Sequence, residues 1–164
     1  MSADLLVADS GPLIALARLD LLGLPACYFE STLVIATVWD EVTRKPTADE
    51  TPRLVAAAKA SLMRIVADPK SIPDALLRTS IDAGERNAIA LAIEMNATLL
   101  IDDRRARRVA IELGRPVIGT LALLLRAREE GIVPALRPLM ECLQASGYYM
   151  PVDLVAGILE SLGE

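Results

Sequence analysis

The sequence predicts a layered α/β fold with a mainly parallel sheet. Short apolar runs that suit buried strands alternate along the chain with segments that suit helices. Apolar residues make up 53% of the 164 residues but aromatic residues only 3%, so we expect an aliphatic core, as in parallel strands covered by helices. The length suits one domain with a full core.

The predicted elements follow one another mostly in strand–helix order. We expect strands at residues 4–8, 33–36, 99–101 and 117–119, with a possible further strand at 63–67. We expect helices at residues 13–22, 39–44, 51–60, 75–79, 85–95, 103–113, 120–130, 134–144 and 151–162. The segment Asp9-Ser10-Gly11-Pro12 is typical of a turn with helix-capping residues, Pro46 stops the second helix, and Gly114 ends the sixth.

The composition excludes several kinds of active site. The chain contains no histidine, so catalysis by Ser-His-Asp or Cys-His groups and zinc sites with histidine ligands are excluded. Cys27 and Cys142 lie too far apart in sequence to indicate a zinc cluster or a disulfide framework. We expect both to be reduced, buried thiols, which favours a cytoplasmic location.

The charge and hydropathy patterns limit the partners. No signal peptide or membrane-spanning stretch is visible, so no membrane partner is expected. The net charge of −5 argues against a protein that coats nucleic acid nonspecifically. It does not exclude a nuclease, because carboxylates that hold a metal ion count as negative in this total.

Acidic residues stand where predicted strands end. Asp9 follows the first strand, and Asp102 and Asp103 follow the strand at 99–101. Ligands of open parallel sheets bind at the carboxyl ends of the strands, and carboxylates gathered there repel one another unless a cation or shared protons neutralise them. The cation that suits an all-oxygen site is Mg²⁺ or Mn²⁺. An ordinary helix cap is the alternative role for Asp9.

Two further acidic positions are candidates for the same site. Asp40 and Glu41 follow the second strand, and of the two we choose Glu41 because it follows an apolar stretch. Glu85 opens the helix that contains Ala88 and Ala92. The alternative for these acids is a place in the first helical turn, where the helix dipole favours negative charge.

A basic run follows the last acidic pair. Asp102-Asp103 is followed by Arg104, Arg105, Arg107 and Arg108 at the start of a predicted helix, where the dipole disfavours cations. A solvated charged face is the alternative role for this run, and it would also have to explain that unfavourable placement. We therefore expect arginines of this run, Arg104, Arg105 or Arg108, to meet the phosphates of a nucleic-acid strand.

Taken in order, these motifs resemble those of the PIN-domain superfamily, and of an uncharacterised PIN-like branch in particular. The resemblance runs from about residue 4 to 150. Its matching segments are Val7–Leu16, Val38–Val42, Asp82–Glu85 with Ala88–Ala92, Leu99–Ala106, and Leu113–Gly114 with Val117–Thr120.

The resemblance implies a Rossmann-like three-layer α/β/α sandwich over residues 1–150, with residues 151–164 as an amphipathic tail helix of the same domain. It implies a metal-dependent ribonuclease that uses Mg²⁺ or Mn²⁺. Asp9, Glu41, Glu85 and Asp103 match the family's acids, Asp102 is a neighbouring or substitute ligand, and Ser10 matches the supporting hydroxyl. Family members include toxins of toxin–antitoxin pairs, often homodimers, so an antitoxin and a second copy are expected partners.

Two other functions remain open. The chain could be a catalytically weak or inactive PIN-like module that binds RNA or a protein partner, through the apolar tail helix for example. A phosphotransfer receiver is disfavoured, because a receiver needs a lysine late in the chain and none follows Lys70.

Overall fold

The computed structural model describes residues 4–44 and 50–164. It divides the chain into two compact units, the first ending at Thr120 and the second spanning Leu121–Glu164. The domain boundary expected near residue 150 stays a prediction. Pro46 lies outside the described residues.

A parallel sheet forms the centre of the first unit. In the described residues it has five strands in the order β3-β2-β1-β4-β5, and every neighbouring pair is parallel. The strands are β1 (Leu5–Ala8), β2 (Ser31–Ile35), β3 (Arg64–Val66), β4 (Thr98–Leu100) and β5 (Val117–Ile118). Together with its helices, this sheet confirms the predicted three-layer α/β fold.

The helices of the described chain fall between and after the strands. They are α1 (Ser10–Arg18), α2 (Ala36–Arg44), α3 (Glu50–Lys59), α4 (Asp74–Leu77), α5 (Ala83–Glu94), α6 (Arg104–Glu112), α7 (Thr120–Glu129), α8 (Arg137–Ala145) and α9 (Val152–Ser161). Helix α5 packs on β1, β2 and β4, whereas α1 packs against α2 and α3. In described residues, no helix is long and apolar enough to cross a membrane.

The register of the central strands aligns their carboxyl ends. Val7 of β1 lies opposite Leu33 of β2 and Leu99 of β4. Beyond β1, the Asp9 N–H donates to the Leu100 carbonyl at 3.0 Å, so the chain stays paired into the first acidic residue. The side chains that follow β1 and β4 therefore emerge at the same edge of the sheet.

The core of the first unit is aliphatic, as the composition predicts. Its largest fully buried side chains are Leu6, Leu13, Leu16, Ile35, Leu54, Leu76, Ile89, Leu99, Leu100 and Ile101. Each contributes about 1.5–3 kcal/mol by leaving water. The small residues Ala88 and Ala92 of α5 are also fully buried, which lets this helix lie close to the sheet.

Some boundaries and environments differ from the sequence predictions. Helix α1 begins at Ser10 rather than at residue 13, because Pro12 falls in the first turn, where a helix does not need its N–H. A short 3₁₀ turn at Leu24–Cys27 was not predicted. The prediction of buried thiols is wrong, since Cys27 and Cys142 are both free and exposed.

The second unit is helical throughout its regular structure, and α9 confirms that the tail is a helix. The Glu164 carboxylate accepts hydrogen bonds from the backbone N–H groups of Leu136 and Arg137, at 2.8 and 2.7 Å. The Arg128 side chain donates a further bond to it at 2.7 Å. These bonds tie the segment after α9 to the start of α8 and the end of α7.

Candidate active site

Asp9 is a buried carboxylate without a full set of partners. It directly follows β1 and is only 5% exposed, yet its Oδ1 atom has no hydrogen-bond partner. Although it occupies the N-cap position of α1, its side chain makes no capping bond. Burial is the main cause that raises its pKa to about 7, helped by the charges of Glu85, Asp82 and Glu41 and opposed by a hydrogen bond with the Ser10 backbone. The environment thus disfavours the bare anion.

Glu41 reaches the same region from α2. Burial raises its pKa, as does the charge of Asp82, while a hydrogen bond with the Ser10 side chain lowers it. Its carboxylate lies against Gly84, where an added Cβ would come within 2.7 Å of Glu41 Oε1. Its neighbour Asp40 is exposed and pairs along the helix with Arg44 at 3.7 Å. Of the two acids, Glu41 is therefore the one placed near the other carboxylates.

Asp82 and Glu85 open α5 as a reciprocal pair. Asp82 Oδ1 accepts from the Glu85 N–H at 2.8 Å, and Glu85 Oε2 accepts from the Asp82 N–H at 3.1 Å. Burial raises the pKa of Glu85, and the charges of Asp82, Asp103 and Glu41 raise it further. This capping box holds both carboxylates at the helix start.

Asp82 was not among the site residues predicted from the sequence. Its charge nevertheless raises the pKa of Asp9, Glu41 and Glu85, so it stands among them. The spacing of Asp82 and Glu85 was the available signal, because an acid three residues before a glutamate is a capping-box pattern. We call Asp9, Glu41, Asp82, Glu85 and Asp103 the acidic cluster.

The neighbouring residues Asp102 and Asp103 take different roles. Asp103 caps α6 by accepting from the Ala106 N–H at 2.8 Å, and its charge raises the pKa of Glu85. Asp102 turns to Thr120, whose N–H and hydroxyl donate to its two oxygens at 2.8 and 2.6 Å. Burial raises the pKa of Asp102, while Thr120 and the charge of Arg107 lower it. Asp102 is therefore placed apart from the acidic cluster.

A polar cleft of about 570 Å³ adjoins this cluster. It is lined by Ser80, Ile81, Asp82, Glu85, Asp103, Arg104, Arg105 and Arg108. The Arg105 guanidinium donates to the Ser80 hydroxyl at 2.8 Å. Nothing in the local sequence signals Ser80, which is brought to the cleft by the packing of the segment before α5.

The acidic cluster offers oxygen ligands of the kind that Mg²⁺ and Mn²⁺ prefer. Within the described ranges, no three acidic side chains converge closely enough to coordinate one ion together. Mg²⁺ usually binds through one or two carboxylates and retains several waters, so the donor set still fits such an ion. The unpartnered Asp9 Oδ1 supplies a buried acceptor for it.

Comparison with known families and structures gives a consistent result. The family model DUF3368, described as a PIN domain, matches residues 5–164. No curated protein matches the chain.

Two solved structures resemble the fold. One is a PilT N-terminus domain protein, SSO1118, from the hyperthermophilic archaeon Sulfolobus solfataricus P2, with a TM-score of 0.58 and 19% identity over 75% of this chain and 92% of that one. The other is PAE2754 from Pyrobaculum aerophilum, with a TM-score of 0.51 and 17% identity over 77% of this chain and 96% of that one. At these identities the likeness concerns the fold.

Proposed function

The chain belongs to the PIN-domain family, and on that premise we propose that it is a metal-dependent ribonuclease. PIN domains are generally nucleases that use divalent metal ions. The observation that carries the proposal is the environment of Asp9: a buried carboxylate with an unpartnered oxygen, surrounded by other acids and in need of a cation.

The acidic residues share the proposed site. Asp9 and Glu85 would hold the divalent ion, and Glu41 and Asp103 complete the catalytic set of four. Bound Mg²⁺ or Mn²⁺ supplies activation of water and stabilisation of charge on the phosphodiester during hydrolysis. Because Asp102 Oδ1 and Oδ2 both accept bonds from Thr120, we place it outside the ligand set.

The remaining side chains prepare the site. The Ser10 side chain bonds to the Glu41 carboxylate and so fixes its position. Burial of Asp9 lowers the dielectric around its carboxylate and strengthens the attraction between that carboxylate and a cation. We assign Arg104, Arg105 and Arg108 to the substrate, because they line the cleft beside these acids.

The test is cleavage of a labelled single-stranded RNA by purified protein with Mn²⁺, with Mg²⁺ and with EDTA. Asp9→Asn serves as the control for contaminating nucleases, since it removes the charge and keeps the shape. Metal-dependent cleavage that is lost in Asp9→Asn supports the proposal. Equal cleavage by wild type and Asp9→Asn contradicts it.

The narrower role of a toxin in a toxin–antitoxin pair is also a proposal, supported by the resemblance to toxin-type PIN proteins. An antitoxin gene would stand beside the gene for this chain, so the neighbouring reading frame is a direct test. Growth arrest on expression, relieved by the product of that frame, is the expected result. Unimpaired growth with an active nuclease would contradict the toxin role.

A second candidate function is a module that binds a protein partner without cutting. An apolar groove of about 850 Å³ in the second unit favours it, with lining residues that include Tyr149, Val152 and Leu159. Tyr149 is 86% exposed and Val152 68%, and exposed apolar side chains that lie together are typical of interaction sites. A second copy of the chain is the simplest occupant, and sedimentation of wild type against Val152→Asp tests for a homodimer.

A further inference from the structure

Three arginines, Arg104, Arg105 and Arg108, line one side of the cleft without forming a close ion pair with a described carboxylate. Arg104 and Arg108 form no ion pair with any described residue, although Asp82, Glu85 and Asp103 line the same cleft. Each of these three acids instead accepts a backbone N–H: Asp82 and Glu85 accept from each other, and Asp103 accepts from the first turn of α6.

The placement of these arginines is unfavourable for the isolated helix. Arg104 and Arg105 occupy the first turn of α6, where the helix dipole disfavours cations by a few tenths of a kcal/mol each. Arg104 and Arg108 are also like charges four residues apart, which adds a similar unfavourable term. A helix that served only as a solvated face would be more stable with acids in this turn.

Arg105 is held in position across the cleft. It donates through one nitrogen to the Ser80 hydroxyl, and a guanidinium has five N–H donors. Donors therefore remain for an anion in the cleft. Arg104 and Arg108, one turn apart at roughly 6 Å along the helix axis, lie beside it.

The lining of the cleft indicates which part of a nucleic acid it contacts. Among the described residues that line it, Ile81 is the single apolar side chain and none has an aromatic ring. Proteins that bind single strands through the bases stack those bases mainly on aromatic side chains, and the described lining of this cleft contains no aromatic side chain. Phosphate groups suit this cleft, because each guanidinium group can donate two parallel hydrogen bonds to a phosphate.

We propose that Arg104, Arg105 and Arg108 bind a backbone phosphate that flanks the scissile one, so that the substrate is a polynucleotide strand recognised through its phosphates rather than its bases. The inference rests on the proposed nuclease function, because it takes the acidic cluster as the site of the scissile phosphate. It predicts weak base preference at the flanking nucleotide and steep salt dependence of binding.

The affinity for RNA, measured under conditions that prevent cleavage, tests this inference. The affinity of a labelled single-stranded RNA is measured by fluorescence anisotropy in EDTA, over a series of salt concentrations, for wild type, Arg104→Gln and Arg108→Gln. Each variant should bind about threefold to fivefold more weakly and lower the slope of log K against log salt by about 0.7. Arg108→Lys should keep the slope and lose part of the affinity, because lysine retains the charge but lacks the paired N–H donors of the guanidinium group.

Arg64→Gln is the matched control. It makes the same charge change at an exposed position that opens β3, at the opposite end of the strands from the acidic cluster. We expect wild-type affinity and slope. Wild-type binding by Arg104→Gln and Arg108→Gln, or an equal loss in Arg64→Gln, overturns the inference.

A second arm locates the contact. A set of RNAs, each with one neutral methylphosphonate in place of a phosphodiester, should include one that weakens binding to wild type but not to Arg108→Gln. Single-stranded DNA of the same sequence should show the same arginine dependence, because the contact is to phosphate. Arginine-dependent binding in a protein that cleaves no RNA would support the phosphate contact and contradict the nuclease function, whereas cleavage with arginine-independent binding would support the nuclease function and contradict the phosphate contact.

Discussion

Thr120 donates hydrogen bonds to both carboxylate oxygens of Asp102, from its backbone N–H at 2.8 Å and from its hydroxyl at 2.6 Å. Arg107 stands beside this pair, since a Cβ added at Gly119 would meet its guanidinium and come within 3.1 Å of Asp102 Oδ1. Asp102 therefore joins the end of β4 to the end of β5. The next residue, Asp103, lies near enough to Glu85 for its charge to raise the pKa of that carboxyl. Of these two adjacent aspartates, Asp102 therefore has a structural carboxylate, whereas the carboxylate of Asp103 belongs to the acidic cluster.

Asp102→Ala and Asp103→Asn should separate these two roles. Asp102→Ala leaves the Thr120 donors without their acceptor and should lower the free energy of unfolding by about 1–3 kcal/mol. Asp103→Asn keeps an equally good helix cap and should change stability by less than about 0.5 kcal/mol while abolishing cleavage. Urea unfolding and RNA cleavage measure the two effects. A larger stability loss in Asp103→Asn than in Asp102→Ala would contradict the assignment.

Gly84→Ala should impair activity without unfolding the protein. The new methyl group would come within 2.7 Å of Glu41 Oε1 and displace that carboxylate. Alanine has the higher helix propensity, so stability should fall little or rise by up to about 1 kcal/mol. Gly157→Ala is the control, because a Cβ at this position in α9 meets nothing within 4 Å. Full cleavage activity in Gly84→Ala would show that Glu41 is not needed where it lies.

The metal-free protein should become less stable as the pH rises from 3.8 to about 7. Burial raises the pKa of Asp9 from 3.8 to about 7, so the folded chain holds this proton more tightly than the unfolded chain. The stabilisation is complete below the unfolded pKa and is lost as the pH approaches the folded one, at no more than about 1.4 kcal/mol per pH unit. Glu41 and Glu85 add to the same trend, because their pKa values are also raised.

Urea unfolding in EDTA across this pH range measures the effect, with Asp9→Asn as the comparison. The variant carries no titrating group at residue 9, so its decline should be shallower than that of wild type. Parallel curves for the two proteins would mean that Asp9 titrates at its ordinary value.

Glu164→Gln should destabilise the second unit. Hydrogen bonds from the backbone of Arg137 and Leu136 and from the Arg128 side chain lower the pKa of Glu164 to about 2. Its stabilising effect is therefore present above the ordinary value of 4.5 and is lost as the pH falls toward 2. The melting temperature of Glu164→Gln should lie below that of wild type at neutral pH and approach it in acid. Glu160→Gln, at an exposed position in α9, should melt like wild type throughout.

The sequence predicted the order and type of the elements well, because apolar runs of strand length and Ala- or Leu-rich segments carry a local signal. It also predicted that Asp9 and Asp103 share one edge of the sheet, since both follow parallel strands, whereas one site formed by Asp9, Glu41, Glu85 and Asp103 stays a prediction. The start of α2 was less predictable. Ala36 and Thr37 belong to this helix, and Thr37 bonds through its N–H at 3.0 Å and through its hydroxyl to Asp68, far along the chain.

The same limit applies to the candidate site. The sequence around Asp102 does not predict that Thr120 donates to both of its oxygens. The sequence around Arg105 likewise does not predict its hydrogen bond to Ser80. Both partners are set by tertiary packing. The reciprocal hydrogen bonds of Asp82 and Glu85, in contrast, could be predicted from their spacing of three residues.

Binding of Mn²⁺, followed by electron paramagnetic resonance of the free ion, tests the central claim most directly because it requires no knowledge of the RNA target. Wild type should remove Mn²⁺ from solution, and more strongly above pH 7 than below it, because Asp9 must lose its proton to bind the ion. Asp9→Asn should bind far more weakly, whereas Asp40→Asn, which lacks only an exposed acid paired with Arg44, should bind like wild type. Equal Mn²⁺ affinity in wild type and Asp9→Asn would contradict a metal site at this cluster.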